Sequence, residues 1–151
     1  MDKHYSVKIL QKIGLKVTPQ RQEVLSCLHA ESTFLSADEL WHRLKSRLKK
    51  IGLPTVYRIL DELIEARIVS RIFMSDSKQY FYLCLNDSHH HHFVCETCRQ
   101  VEEVDFCVLN SLAAEISERN GSKITSHIFQ INGVCKKCLL AGQELTRQVD
   151  I

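Results

Sequence analysis

The apolar positions of this chain come first at helical spacing and then in strand-like runs. Residues 3–12 are short and mixed, and read as a helix ending near Gly14. Thr18-Pro19 opens the next helix, with Thr18 as N-cap and Pro19 at the first helical position. Its apolar residues Val24, Leu25, Cys27 and Leu28 keep a helical period. Ser36-Ala37-Asp38-Glu39 has the form of a capping box and starts a helix through Leu40, Trp41, Leu44 and Leu48. Lys45, Arg47, Lys49 and Lys50 crowd its end, where cations suit the helix dipole. After Gly52-Leu53-Pro54 a third strong helix is expected from Thr55 to about Ala66. Val56, Ile59, Leu60 and Leu63 fall at i, i+3, i+4 and i+7 and face a core, leaving Tyr57, Arg58, Asp61, Glu62 and Glu65 outside.

Ile68–Met74 and Gln79–Leu85 are rich in β-branched and aromatic residues, and the polar turn 75–78 between them makes a hairpin. Helices followed by a hairpin are the order of a winged helix-turn-helix, in which the third helix enters the major groove and the hairpin is the wing. Asn86-Asp87-Ser88 is a polar break. Short strands are expected at His91–Val94 and Val101–Val104, a helix through Leu109, Leu112, Ala113 and Ile116, an alternating strand at Ile124–Ile131, and a short helical tail. The fold class is therefore α+β: a winged-helix domain at 1–84, a hinge at 85–88 and an α/β domain at 89–151 whose exposed sheet edge suits a second copy.

Charge sharpens that division. Residues 1–84 carry 14 Lys+Arg against 9 Asp+Glu, and residues 85–151 carry 6 against 9. A basic first part and an acidic second part suggest two different jobs. No apolar run approaches the ~20 residues of a membrane span, and MDKHYSVKIL lacks the apolar stretch of a secretory signal, so a cytoplasmic protein is expected.

Candidate chemistry is concentrated after the break. Cys95/Cys98 and Cys135/Cys138 are two Cys-x-x-Cys pairs, and the run His89–His92 ends just before the first. A two-residue gap lets one turn present two thiolates to one ion, and four thiolates close a tetrahedral site that holds no open position for catalysis. The alternative is a thiol redox pair. In a strand, His90 and His92 point to one face and His89 and His91 to the other. An enzyme such as a zinc deaminase or hydrolase is disfavoured, because neither His-x-Glu before Pro-Cys-x-x-Cys nor His-Glu-x-x-His is present.

Gly14-Leu15-Lys16-Val17-Thr18-Pro19-Gln20-Arg21, Ser36-Ala37-Asp38-Glu39-Leu40, Thr55-Val56-Tyr57-Arg58, His90-x-His92-x-x-Cys95-x-x-Cys98 and Gly133-x-Cys135-x-x-Cys138, in this order, resemble the ferric uptake regulator family of metal-responsive repressors. The resemblance implies a homodimer that binds palindromic double-stranded operator DNA under control of a corepressor metal. It implies a structural Zn2+ on Cys95, Cys98, Cys135 and Cys138, and a regulatory site using His90, His92, Glu103 and a wing residue, here Cys84. Thiolate with imidazole suits four-coordinate Zn2+ better than Fe2+ or Mn2+, which resembles the zinc uptake regulator branch. Iron-responsive and peroxide-sensing repressors of the same family are the alternative. Their histidine just before the Ser-Ala-Asp stretch is replaced here by Thr33-Phe34-Leu35. Cys84 can instead be a buried wing residue. The resemblance also offers a third site on His89, His91 and His127, whose acidic partner would fall near Asn110, with Glu102 as a substitute; a surface histidine cluster is the alternative. Cys27 and Cys107 are expected in the core, with Cys107 a spare ligand otherwise. For DNA, Tyr57 and Arg58 are expected to read base edges, with partial core packing the alternative for Tyr57. Thr55 is expected to open the reading helix and Arg21 to meet phosphate, and Lys16 resembles the family residue that reaches toward the minor groove.

Overall fold

The computed structural model describes residues 3–107 and 109–147, so the expected outer domain limits at 1 and 151 lie outside the described residues. Four helices and a small sheet form the first half: α1 (Lys3–Lys12), α2 (Pro19–Ala30), β1 (Leu35–Ser36), α3 (Ala37–Leu44), α4 (Leu53–Glu65), β2 (Val69–Phe73) and β3 (Gln79–Leu83). Gly14 ends α1 at φ +72, and the Leu15 amide turns back to the Leu10 carbonyl at 2.9 Å. Thr18 caps α2 by accepting from the Arg21 amide. Ser36 and Glu39 form the reciprocal capping box of α3 at 3.2 and 2.7 Å. That helix ends at Leu44, one turn before the expected Leu48, and the Leu48 amide still reaches the Leu44 carbonyl through a turn.

Val56, Ile59, Leu60 and Leu63 of α4 are fully buried against Val24, Leu25, Leu28, Leu40, Leu44 and Phe81, as their spacing requires. The hairpin β2–β3 pairs in register from Val69↔Leu83 to Phe73↔Gln79. No pattern predicts β1, a two-residue strand that pairs with β3 at Leu35↔Phe81 and makes the wing sheet three-stranded, order β1-β3-β2.

Residues 84–90 carry neither helix nor strand. Beyond them β4 (His91–Cys95), β5 (Val101–Val104), α5 (Leu109–Asn120), β6 (Gln130–Gly133) and α6 (Lys136–Arg147) follow. β4 is central, antiparallel to β5 and parallel to β6. The expected strand Ile124–Ile131 is mostly absent: β6 begins at Gln130, opposite His92. Earlier residues run past the start of β4 and find no ladder partner among the described residues. Ile128 there is 82% exposed.

A second buried cluster lies on the seam between the halves. Phe34, Ile72 and Tyr80 of the winged head close over Val94 and Val101 of the C-terminal sheet. The Gln130 side chain adds a paired amide contact to the Phe73 backbone, 3.1 Å from its N–H and 2.7 Å to its carbonyl. No helix among the described residues is long and apolar enough to cross a membrane.

Candidate metal centres and nucleic-acid interface

Two turns build the four-sulfur cluster. The first leaves β4 at Cys95 and returns on β5, with Cys95 N–H on the Gln100 carbonyl at 2.9 Å. The second follows β6 into α6, and the parallel pairing Cys95↔Gly133 brings it alongside. A tetrahedral Zn–S bond of about 2.3 Å places sulfurs about 3.8 Å apart. Cys95 Sγ lies 3.9 Å from Cys138 Sγ, and Cys98 Sγ 3.7 Å from Cys135 Sγ. All four are free thiols. Burial opposes ionisation of Cys95, but backbone N–H groups of Cys98, Cys135 and Thr97 aimed at its sulfur prevail and hold it down at about 6. A buried sulfur ringed by N–H donors and three other sulfurs fits a thiolate-bound zinc ion.

The second cluster spans the junction of the halves. Cys84 follows β3, and its N–H is held by the Ile68 carbonyl at 3.0 Å. Its Sγ lies 3.0 Å from His90 Nε2, which is 3.2 Å from His92 Nε2. Tetrahedral zinc with mixed sulfur and nitrogen ligands has edges of about 3.3–3.6 Å, close to these separations. His90 Nδ1 sits 2.7 Å from the Ser88 carbonyl. A proton donated there leaves Nε2 as a bare lone pair turned into the cluster. Burial, then His90, lowers the pKa of His92, which keeps its ring neutral and able to ligate. Burial, then Glu103, raises that of the Cys84 thiol. Glu103 stands beside the trio: one carboxylate oxygen is 3.8 Å from Cys84 Sγ and the other accepts from Asn86 Nδ2 at 2.6 Å.

The third cluster lies on the opposite face of β4. Ring centroids of His89, His91 and His127 are 4.8–5.1 Å apart. Cys107, expected in the core, instead lies 3.6 Å from His127 Nε2 and belongs with the three histidines. Glu102 is exposed on β5 opposite Phe93 and is not part of the group. The Asn110 side chain lies outside the described residues. His91 is only 5% exposed, and its Nε2 has no hydrogen-bond partner among the described residues. Burial, then His89 and His127, depresses its pKa. A buried, neutral, unpartnered imidazole nitrogen facing two histidines and a thiol fits a metal ion. Spacing alone held no signal for Cys107; it is the antiparallel register His91↔Val104 that, when extended, brings Cys107 level with Ser88, next to His89.

On the head, Tyr57 and Arg58 occupy the first turns of α4. Arg58 is exposed, whereas Tyr57 is half-buried with its ring edge-on to Phe81 at 6.4 Å. Thr55 is partly buried in the opening turn, and Lys16 is exposed. Arg21, expected at phosphate, is turned inward: its Nε lies 2.9 Å from Glu62 Oε2 and an Nη donates to the Lys16 carbonyl at 2.7 Å. Glu62 also holds Arg58 at 3.2 Å. Arg21 thus joins the loop of Lys16 to α4, because a half-buried guanidinium beside a carboxylate satisfies both charges. Cys27 packs partly buried against the head's core.

The sequence pattern of the Ferric uptake regulator family matches residues 12–132. The ferric uptake regulation protein of Neisseria meningitidis serogroup A is 34% identical over 145 residues, covering 95% of this chain and 99% of that protein. The peroxide-responsive repressor PerR of Staphylococcus aureus is 30% identical over 133 residues, covering 88% of each. Among solved structures, a zinc uptake regulator complexed with zinc and DNA superposes with a TM-score of 0.77 at 25% identity, covering 93% of this chain and 95% of that one. The Helicobacter pylori ferric uptake regulator, described with three functional metal-binding sites, gives 0.60 at 26% identity over 92% and 95%. With its winged head, its sheet-and-helix second half and a family match over most of its length, this chain belongs to the Ferric uptake regulator family of metal-responsive transcriptional regulators.

Proposed function

We propose that the chain is a cytoplasmic, zinc-dependent repressor whose homodimer binds palindromic operator DNA to control metal-uptake genes, and that it is not an enzyme. The observation that carries this reading is the 3.0 Å approach of Cys84, at the end of the wing, to His90, at the start of the C-terminal domain. Ligands drawn from both halves make ion binding and head position one equilibrium. A bound ion would supply a cross-link between them, favouring the closed arrangement only by its higher affinity for that arrangement. Cys84, His90 and His92 would hold it, with Glu103 adjoining. A buried thiol with two imidazoles favours zinc over the harder ferrous and manganous ions.

The four-cysteine site takes a structural zinc in this reading, with its binding energy serving as folding energy. A third ion would sit among His89, His91 and His127, with Cys107 as the fourth donor. Lys16, Thr55, Tyr57 and Arg58 face the DNA, with Arg58 able to donate twice to guanine and Tyr57 able to touch a thymine methyl.

An iron-responsive or peroxide-sensing role is the second reading. It is favoured by the names of the curated relatives and by the carboxylate of Glu103 beside the trio. The test uses a duplex that the zinc-loaded protein selects from a random pool. Protein stripped of its regulatory ion is titrated separately with zinc, manganous and ferrous ions. Zinc is expected to restore binding at the lowest free concentration. Restoration by ferrous or manganous ion at a lower concentration would overturn the zinc assignment.

A further inference from the structure

We propose that Arg99, presented by the first Cys-x-x-Cys turn, is the positioning residue that docks the winged head on the C-terminal domain, so that the four-cysteine site helps set the metal-sensing junction. The proposal rests on the reading that those cysteines hold zinc.

Arg99 follows Cys98 directly and takes φ +62, a left-handed conformation that a residue with a Cβ rarely adopts. The turn imposes it: Arg99 N–H donates to the Cys95 carbonyl at 2.9 Å, and Cys95 N–H closes on Gln100 at 2.9 Å. From that backbone the side chain crosses the seam. An Nη lies 2.8 Å from Glu39 Oε1. The guanidinium carbon stands 5.6 Å over the Phe34 ring and 5.4 Å over that of Tyr80, within the range of cation–π attraction.

Each partner carries the contact further into the head. The other oxygen of Glu39 accepts from the Ser36 amide, so the carboxylate caps α3 and pairs with Arg99 at once. Tyr80 lies on β3, and its hydroxyl donates to Asp76 in the wing turn at 2.6 Å. Phe34 and Tyr80 close the seam cluster over Val94 and Val101. A β-bridge joins Thr33 to Gln100, the residue after Arg99. The guanidinium is therefore a single plug touching the start of α3, the wing and the cysteine turn.

Zinc matters to this plug because the left-handed residue is held by the turn. The four sulfurs lie within 4.8 Å of one another, so an ion among them would tie the turn of Cys95 and Cys98 to that of Cys135 and Cys138. Relaxation of the turn would release the strained backbone at Arg99 and withdraw its side chain from Glu39 and Tyr80. Cys84 lies at the end of β3, the strand that carries Tyr80, so loosening the plug loosens the junction where Cys84 meets His90. Coupling of this kind is reciprocal and falls typically between about 5- and 150-fold.

The test uses the full-length dimer in three forms: wild type, Arg99→Ala and Glu39→Gln. Glutamine suits the third position of a capping box as glutamate does, so Glu39→Gln keeps the α3 cap and removes the charge pairing. Native mass spectrometry counts zinc, hydrogen exchange reports the amides of 33–36 and 79–83, and competition with a chelator gives the affinity for the second zinc ion. Both variants are expected to keep the first zinc, to exchange faster in those two segments, and to bind the second zinc about tenfold more weakly. Exchange and second-zinc affinity unchanged in both variants would overturn the latch. Faster exchange with unchanged second-zinc affinity would overturn its link to the sensing junction. Wild-type protein whose four cysteines hold no zinc would overturn the parent reading and the metal's share in the latch. The exchange of Glu39→Gln still judges the arginine contact itself.

Discussion

Replacing Arg21 by alanine separates two roles that a basic residue at the edge of a DNA-binding head can play. The Arg21 side chain is 14% exposed and that of Glu62 22%. Its two bonds, 2.9 Å to Glu62 and 2.7 Å to the Lys16 carbonyl, tie the loop before α2 to α4. A hydrogen bond to a charged group contributes roughly 1.5–3 kcal/mol. Partial exposure puts this pair toward the lower end, and Glu62 retains Arg58 when Arg21 is gone. A loss of about 2 kcal/mol follows, which for a chain of this size lowers the thermal midpoint by roughly 4–8 °C. A phosphate contact behaves differently. Deleting one lowers the slope of log affinity against log salt by about 0.9 per contact and leaves stability nearly untouched. Thermal unfolding of the metal-loaded protein and duplex binding at several salt concentrations therefore give opposite signatures. Arg21→Ala is expected to lose stability and keep the salt slope. A variant with the wild-type midpoint and a reduced slope would refute the inward assignment and return Arg21 to the phosphate backbone. A double-mutant cycle with Glu62→Gln should show a coupling of about 0.5–3 kcal/mol, since the two side chains are in contact.

Three further outcomes are expected. Arg21 first, against a smaller opposing effect of burial, holds the Glu62 carboxyl below its usual 4.5; its contribution is fully present above that pH and is lost as pH falls through the lower folded value. The melting midpoints of wild type and Glu62→Gln should accordingly differ above pH 4.5 and converge below it; a constant difference across that range would count against the pair. Cys84→Ser should retain the first zinc and the dimer while weakening the second ion's binding, read by native mass spectrometry, and an unchanged second affinity would return Cys84 to a packing role. Cys107→Ser should lower occupancy of the histidine cluster without moving that of the other two sites; unaltered uptake there would leave His89, His91 and His127 as the whole donor set.

What the sequence made legible, and what it hid, follows from which distances a pattern encodes. A period fixes which residues share a face. Val56, Ile59, Leu60 and Leu63 had to lie together, and strand parity alone sorted the histidine run, with His90 and His92 meeting Cys84 on one side of β4 and His89 and His91 meeting His127 on the other. Pattern does not say where a strand finds its partner. The alternation at 124–131 is real as spacing, yet only from Gln130 onward does β4 offer a ladder. Contacts across the seam are further removed still, because they join residues 57 to 60 positions apart through no shared period. Arg99 and Gln130 are of this kind, and the inward turn of Arg21 toward Glu62, 41 positions away within the head, follows no period either. The sequence placed Arg21 at phosphate and Gln130 in a strand, and it singled out no contact for Arg99. The consequence for the metal sites is physical: ligands two or three residues apart could be read from spacing, whereas Cys107, twenty residues from His127, needed the register of β5 on β4 to bring it in. A sensing site and a silent structural one are not cleanly divided in this fold. A closed site of four cysteines is inert toward substrate, but in the proposed latch its turn also carries the arginine that meets Glu39 and Tyr80, so a change at the sulfurs is expected to reach the head.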